Sequence, residues 1–292
     1  MMVATSDEFS LLDEEAREHH ITRGTRHQPQ RVAFATSSGA TVSAIRWGDT
    51  IPEYLFLHGS GLNAHTWDAV IMALDAPAIA LDLPGHGRSD WHDDADYSPR
   101  RLADELECVD FGGDFRWIVG QSLGGLTAIA LAARRPKLAR HLCVVDISPG
   151  LVLPPNNVVR EFLAGPTSFD TRDAIVDRAI SFGFGPSRRA VERGVFHNTK
   201  QNDDGTFSWL HHMAHLAATS PARTPEFSSL WTPLAQLGIP VMLVRGEHGF
   251  ISEPAAVEFV RRCTSGTAHV LPCGHNVQEE QPVALAGLLA GR

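Results

Sequence analysis

Residues 117–136 read WIVGQSLGGLTAIALAARRP. An apolar run meets Gly120-Gln121-Ser122-Leu123-Gly124-Gly125, and a helical pattern starts at once. A strand that becomes a helix over so few residues needs a bend with no room for side chains beside it, which glycine supplies. A serine at the apex is lifted clear of the backbone, an arrangement known as a nucleophile elbow. The helix N-terminus beneath it favours negative charge. Glycines alone would mark only a tight turn. The strand before Ser122 and the helix after it give the serine its reading as a nucleophile.

The rest of the chain fits such a bend. Residues 31–35 and 41–47 read as a hairpin around the turn SSGA. EYLFLHG and PAIALDLPGHG read as buried strands, with the helical pattern HTWDAVIMAL between them. A helix is expected over 99–109, a strand over 115–119, a helix over 122–134 and a strand over 141–145. Alternating strands and helices imply an α/β fold with a mostly parallel, doubly wound sheet. Sites of such sheets form at the carboxyl ends of the strands. HGSG, DLPGHG, GQS and DISP should therefore share one edge.

The alternation stops after Pro149 and resumes at PVMLVRGEHG. Residues 150–236 show helical pieces and a polar turn but no clear buried strand, so they are expected to form an inserted helical cap. The core is then 31–149 and 237–292. A helix near 254–263, the strand AHVLP and one closing helix complete it. Residues 1–30 are acidic and lack the apolar core of a secretory signal. A short amphipathic helix is expected over 7–19, outside the domain.

A serine hydroxyl needs a base. Position selects His275, in PCGHNVQEEQP just after the last expected strand, from the fifteen histidines. His58 and His86 lie in tight turns and read as structural. An oxyanion needs backbone donors. The Leu123 N–H, directly after the nucleophile, is one candidate, and the Ser60 N–H in LHGSG is the other.

Composition excludes several classes. The net charge of −9 disfavours a nucleic-acid partner. No run of about 18 apolar residues offers a membrane span. Cys108, Cys143, Cys263 and Cys273 form no C-x-x-C pair, which argues against a zinc site and a disulfide framework and points to a cytoplasmic setting. Nothing in the sequence sets an oligomeric state.

The ordered set LHGSG, DLPGHGRSD, GQSLGG, VVDISPG, VRGEHG and CGHNVQEEQP resembles the α/β-hydrolase family, and within it the capped carboxylesterases. The resemblance runs from Arg31 to the C-terminus. It implies a cofactor-free, metal-free serine hydrolase that cleaves a small-molecule carboxylic ester through an acyl-enzyme. It also implies a triad of Ser122, His275 and an acid, with Ser60 and Leu123 as the oxyanion hole. Branches with aspartate at the nucleophile position are set aside by Ser122. Much of the family keeps its acid in the loop after the strand VMLVRG. Here that loop has Glu247 directly after Gly246, and Gly249 and Phe250 where the acid usually stands. Asp146, which ends HLCVVD beside the Ser122 strand, is the expected acid, with Glu247 as the alternative. Phe182, Phe184, Phe196 and Trp209 are expected either to line an acyl pocket or to fill the cap's own core. Two rivals use the same fold. One is a hydrolase of carbon–carbon bonds in vinylogous diketones, and the other is a non-catalytic small-molecule receptor.

Overall fold

The computed structural model describes residues 8–24, 26–152, 157–219 and 226–291. Helix α1 (Leu12–Glu18) precedes the hairpin of β1 (Pro29–Ala35) and β2 (Thr41–Trp47). Then follow β3 (Tyr54–Leu57), α2 (Asp68–Leu74), β4 (Ala78–Leu81), α3 (Pro99–Glu107), β5 (Phe115–Gln121), α4 (Leu123–Arg134) and β6 (Ala139–Val145). The insertion contains α5 (Val158–Leu163), β7 (Ser168–Phe169), α6 (Arg172–Ser181), α7 (Arg188–Asn198), β8 (Thr199–Gln201), β9 (Phe207–Trp209) and α8 (Met213–Thr219). The chain continues through α9 (Trp231–Ala235), β10 (Val241–Gly246), α10 (Glu253–Arg262), β11 (Gly266–Leu271), α11 (Val277–Glu280) and α12 (Pro282–Ala290). The single closing helix expected from sequence is two, because Pro282 disfavours helical backbone at Gln281 before it.

Eight strands form one sheet in the order β1-β2-β4-β3-β5-β6-β10-β11. β2 runs antiparallel to β1 and β4, and the other pairs are parallel. The chain adds β4 on one side of β3 and β5 on the other. Crevices for ligands form where successive connections diverge in this way. The segments carrying Ser60 and Ser122 both leave the sheet there.

Side chains alternate across the sheet. Leu55 and Leu57 of β3, Ile118 of β5, and Leu142 and Val144 of β6 join the core beneath α3, α4 and α10. Tyr54 and Phe56, Trp117 and Val119, and Cys143 and Val145 join the core beneath α1, α2 and α12. Each large apolar side chain buried this way stabilises the fold by about 1.5–3 kcal/mol over its exposed state. Covering both faces makes the strands read as continuous apolar runs.

Two departures from the sequence reading concern packing. The insertion contains a three-stranded antiparallel sheet, β7-β9-β8, where no strand was expected. Its own core holds Ile175, Val176, Ala179, Val191, Val195, Trp209 and Ala214. Towards its end, Leu230 and Leu234 pack into the main core instead. The N-terminal segment is also not a bystander. Asp7 lies outside the described residues, but Leu12 and Ala16 of α1 are part of the main core. The α1 carboxylates pair with the insertion: Glu14 with Arg189, and Glu15 and Glu18 with Arg193.

Candidate active site

Ser122 sits at φ 51° and ψ −119° between β5 and α4. Such backbone is strained for any residue with a side chain and persists only where its surroundings enforce it. The enforcement is visible. A Cβ on Gly120 would lie 2.3 Å from the Gly124 carbonyl oxygen, and one on Gly124 would lie 2.2 Å from that of Leu57. The Ser122 N–H donates to Val145 O at 3.0 Å, which ties the bend to the end of β6. Leu123 opens α4, where N–H groups have no partner within the helix.

Asp146 directly follows β6, is fully buried, and has a φ of 48°. Its Oδ1 accepts the Gly246 N–H at 3.1 Å and its Oδ2 the Phe250 N–H at 2.7 Å. The same Oδ2 lies 2.7 Å from His275 Nδ1. A Cβ on Gly249 would be 2.3 Å from that oxygen. The loop after β10 thus supplies donors to a carboxylate that arrives from β6. Glu247 in that loop is exposed and its N–H donates to Leu271 O. His275 lies between β11 and α11, with its ring stacked on Phe250 at 3.8 Å.

The Ser60 loop presses against Ser122. A Cβ on Gly59 would lie 3.2 Å from the Ser122 Cβ. His58 pins this loop from below. Its Nε2 accepts the Leu83 N–H at 2.9 Å, and its Nδ1 donates to Gly59 O at 2.7 Å. Burial pushes this imidazole down to about 4, so it stays neutral. His86 is also fully buried, with Nδ1 donating to Pro84 O at 3.1 Å. His86 Nε2 is buried without a hydrogen-bond partner among the described residues.

A cavity of about 950 Å³ covers these groups. Ser60, Ser122, Leu123 and His275 line it, as do Phe182, Phe184 and Trp209 from the insertion. Phe162, which the sequence reading did not single out, touches the rings of all three and also lines it. Phe196 does not. Its ring lies under the Arg172 guanidinium, 5.0 Å away, outside the cavity. The expected pocket role for Phe196 is therefore corrected. It stands on α7, where its neighbours Val195 and His197 face inward instead.

Another part of the lining is polar. Glu15, Thr66, Arg193 and Glu279 belong to it, and Thr66 Oγ1 donates to Glu279 at 2.6 Å. His65, which also lines the cavity, lies between Asp68 at 2.7 Å and Glu8 at 3.2 Å. Arg31 holds the same Glu8 and also Asp82, the latter at 2.8 Å. His65, Asp68 and His197 bring donor atoms within 4.8 Å of one another. They do not suit a metal. Both His65 nitrogens are engaged, and its ring is stacked on His197 at 3.7 Å, so their in-plane lone pairs do not converge.

This cluster sets a pH dependence. Burial opposes charge on His65, but Asp68 and Glu8 outweigh it and raise the imidazole to about 9. Burial likewise opposes charge on Glu8, but His65 and Arg31 bring it to about 2. Burial and then Asp68 push the Glu15 carboxyl up to about 8. The His65 contribution is complete below its unfolded value of 6.5 and is lost as pH rises through about 9. Ionisation of Glu15, easy in the unfolded chain above 4.5, opposes folding increasingly up to about 8. The Glu8 contribution is complete above 4.5 and fails only towards 2. Melting temperature is therefore expected to fall between pH 6.5 and 9. His65→Gln should flatten that fall, and an equal slope in the variant would refute the assignment.

Sheet order, strained serine and aspartate-bound histidine together place the chain in one group: it belongs to the alpha/beta hydrolase family, whose profile matches residues 54–288. It is 37% identical over 296 residues to esterase Rv0045c of Mycobacterium tuberculosis, spanning 98% of this chain and 95% of that protein. A crystal structure of that esterase superposes with a TM-score of 0.82 at 35% identity and covers 99% of each chain. A 2-succinyl-6-hydroxy-2,4-cyclohexadiene-1-carboxylate synthase of Enterobacter is 30% identical over 247 residues, 82% of this chain and 90% of that protein. Among the described residues, no helix is long and apolar enough to cross a membrane.

Proposed function

We propose that the protein is a serine esterase acting on small or medium carboxylic esters, with Ser122, His275 and Asp146 as its triad. The observation that carries this reading is the 2.7 Å contact between Asp146 Oδ2 and His275 Nδ1 beside the strained Ser122. The similarity to an esterase along nearly the whole chain supports the reaction class.

In this reading, Ser122 Oγ attacks the ester carbonyl while its proton passes to His275 Nε2. The carbonyl oxygen becomes an oxyanion, bound by the Ser60 and Leu123 N–H groups. Asp146 holds the imidazole by Nδ1 and stabilises its positive charge. The tetrahedral intermediate collapses, the C–O bond to the alcohol breaks, and His275 returns its proton to the departing alkoxide. Water then attacks the acyl-enzyme by the same route and releases the acid. The insertion acts as a cap that shields these steps from bulk water.

The cavity of about 950 Å³ is of a size that takes small-molecule ligands, and its aromatic wall suits an acyl chain. The test is a series of 4-nitrophenyl esters from acetate to dodecanoate. Turnover should peak at short or medium chains, and Phe162→Ala should move the optimum to longer ones. A vinylogous diketone should remain intact. Faster cleavage of the diketone than of every ester would reverse the reading.

A further inference from the structure

Gln121 ends β5 and is almost wholly buried. Its Nε2 lies 3.0 Å from His275 Nε2, 3.3 Å from the His275 carbonyl oxygen and 3.4 Å from Asn276 Oδ1. Acceptors gathered around one end of an amide assign that end as the NH₂ group. The other end, Oε1, is buried without a hydrogen-bond partner among the described residues. It fills the space beside Gly59, where a Cβ would come within 2.1 Å of it. An N–H directed at a ring nitrogen requires a lone pair there. His275 Nε2 is then unprotonated, and the ring proton sits on Nδ1, facing Asp146. A general base needs this tautomer.

We propose that Gln121 is a positioning residue that selects this tautomer of His275 and holds its Nε2 lone pair ready before substrate arrives. The proposal rests on the reading of His275 as the base. When Ser122 attacks, its hydroxyl replaces the Gln121 N–H at Nε2. The amide keeps its contacts to the His275 carbonyl and to Asn276. The amide hydrogen bond is one that only the ring with an unprotonated Nε2 can accept.

The test is the pH profile of kcat/KM for a 4-nitrophenyl ester with wild type, Gln121→Met and Gln121→Glu. Methionine removes the donor, so the acid limb should move up by about half a pH unit. Glutamate places an anion against the ring, and the limb should move up by about one unit or more. A merely structural Gln121 would lower the plateau and leave both limbs in place, which would overturn the proposal. If either variant turns over too slowly to fit, the ¹⁵N titration of His275 in a Ser122→Ala background replaces the profile. Its midpoint should rise on Gln121→Met, and an unmoved midpoint overturns the proposal equally. Failure of the functional reading looks different. In that case Ser122→Ala itself would hydrolyse the ester at the wild-type rate.

Discussion

Ser122→Ala is expected to fold as the wild type does and to lose ester turnover by about 10⁴-fold or more. The two halves of that expectation have separate causes. Alanine keeps the Cβ, so the strain at φ 51° and the fit of Gly120 and Gly124 are unchanged. The fold is held by the Ser122 N–H and carbonyl, which bond Val145, Gly125 and Leu126, and these remain. Stability should stay within about 1 kcal/mol of wild type. The lost hydroxyl, by contrast, is the only group proposed to form the covalent bond. Steady-state kinetics and a thermal melt on one preparation check both halves. A variant that kept a tenth of the activity would exclude the acyl-enzyme mechanism.

Asp146→Asn should cost about 10⁴-fold in kcat, whereas Glu247→Gln should stay within about twofold. The carboxylate of Asp146 accepts at both oxygens: Gly246 at one, Phe250 and His275 at the other. An amide has one acceptor end. If its oxygen faces His275, its NH₂ meets the Gly246 N–H donor to donor. If it turns, its NH₂ faces Nδ1 and selects the opposite tautomer, with the Nε2 lone pair lost. Either outcome removes the negative charge that offsets the imidazolium. Glu247 is exposed and holds its loop through the backbone. Circular dichroism guards against simple unfolding of either variant. Should Glu247→Gln be the crippled one, the acid has been misassigned.

Parts of this site were legible in the sequence because they rest on covalent geometry. A strand-to-helix bend with no room for a Cβ leaves a glycine signature. The end of β6 could be placed from an apolar run that stops at Asp146. Other parts depend on distance in space. That Gly249 must be a glycine follows from the Asp146 carboxylate standing 2.3 Å from where its Cβ would be. No local pattern shows a side chain arriving from a strand a hundred residues earlier. The strands β7, β8 and β9, of two or three residues each, are too short to display a period. Phe162 and Phe196 look alike in sequence, and only the rotation of α5 and α7 puts one ring into the cavity and the other under Arg172. Gln121 carries no local signal either, since its amide meets His275 only across 154 residues of sequence.

The ties between α1 and α7 bear on the order in which the molecule takes shape. Glu14 with Arg189, and Glu18 with Arg193, are 175 residues apart in sequence. Contacts between such distant residues close large loops, and they form after local ones. On the ribosome, the first helix emerges long before its partners exist. It can meet α2 early, but its carboxylates have no arginines to bind until α7 has been made. Residues of α7 line the cavity. That wall is therefore fastened by a helix made about 175 residues before it.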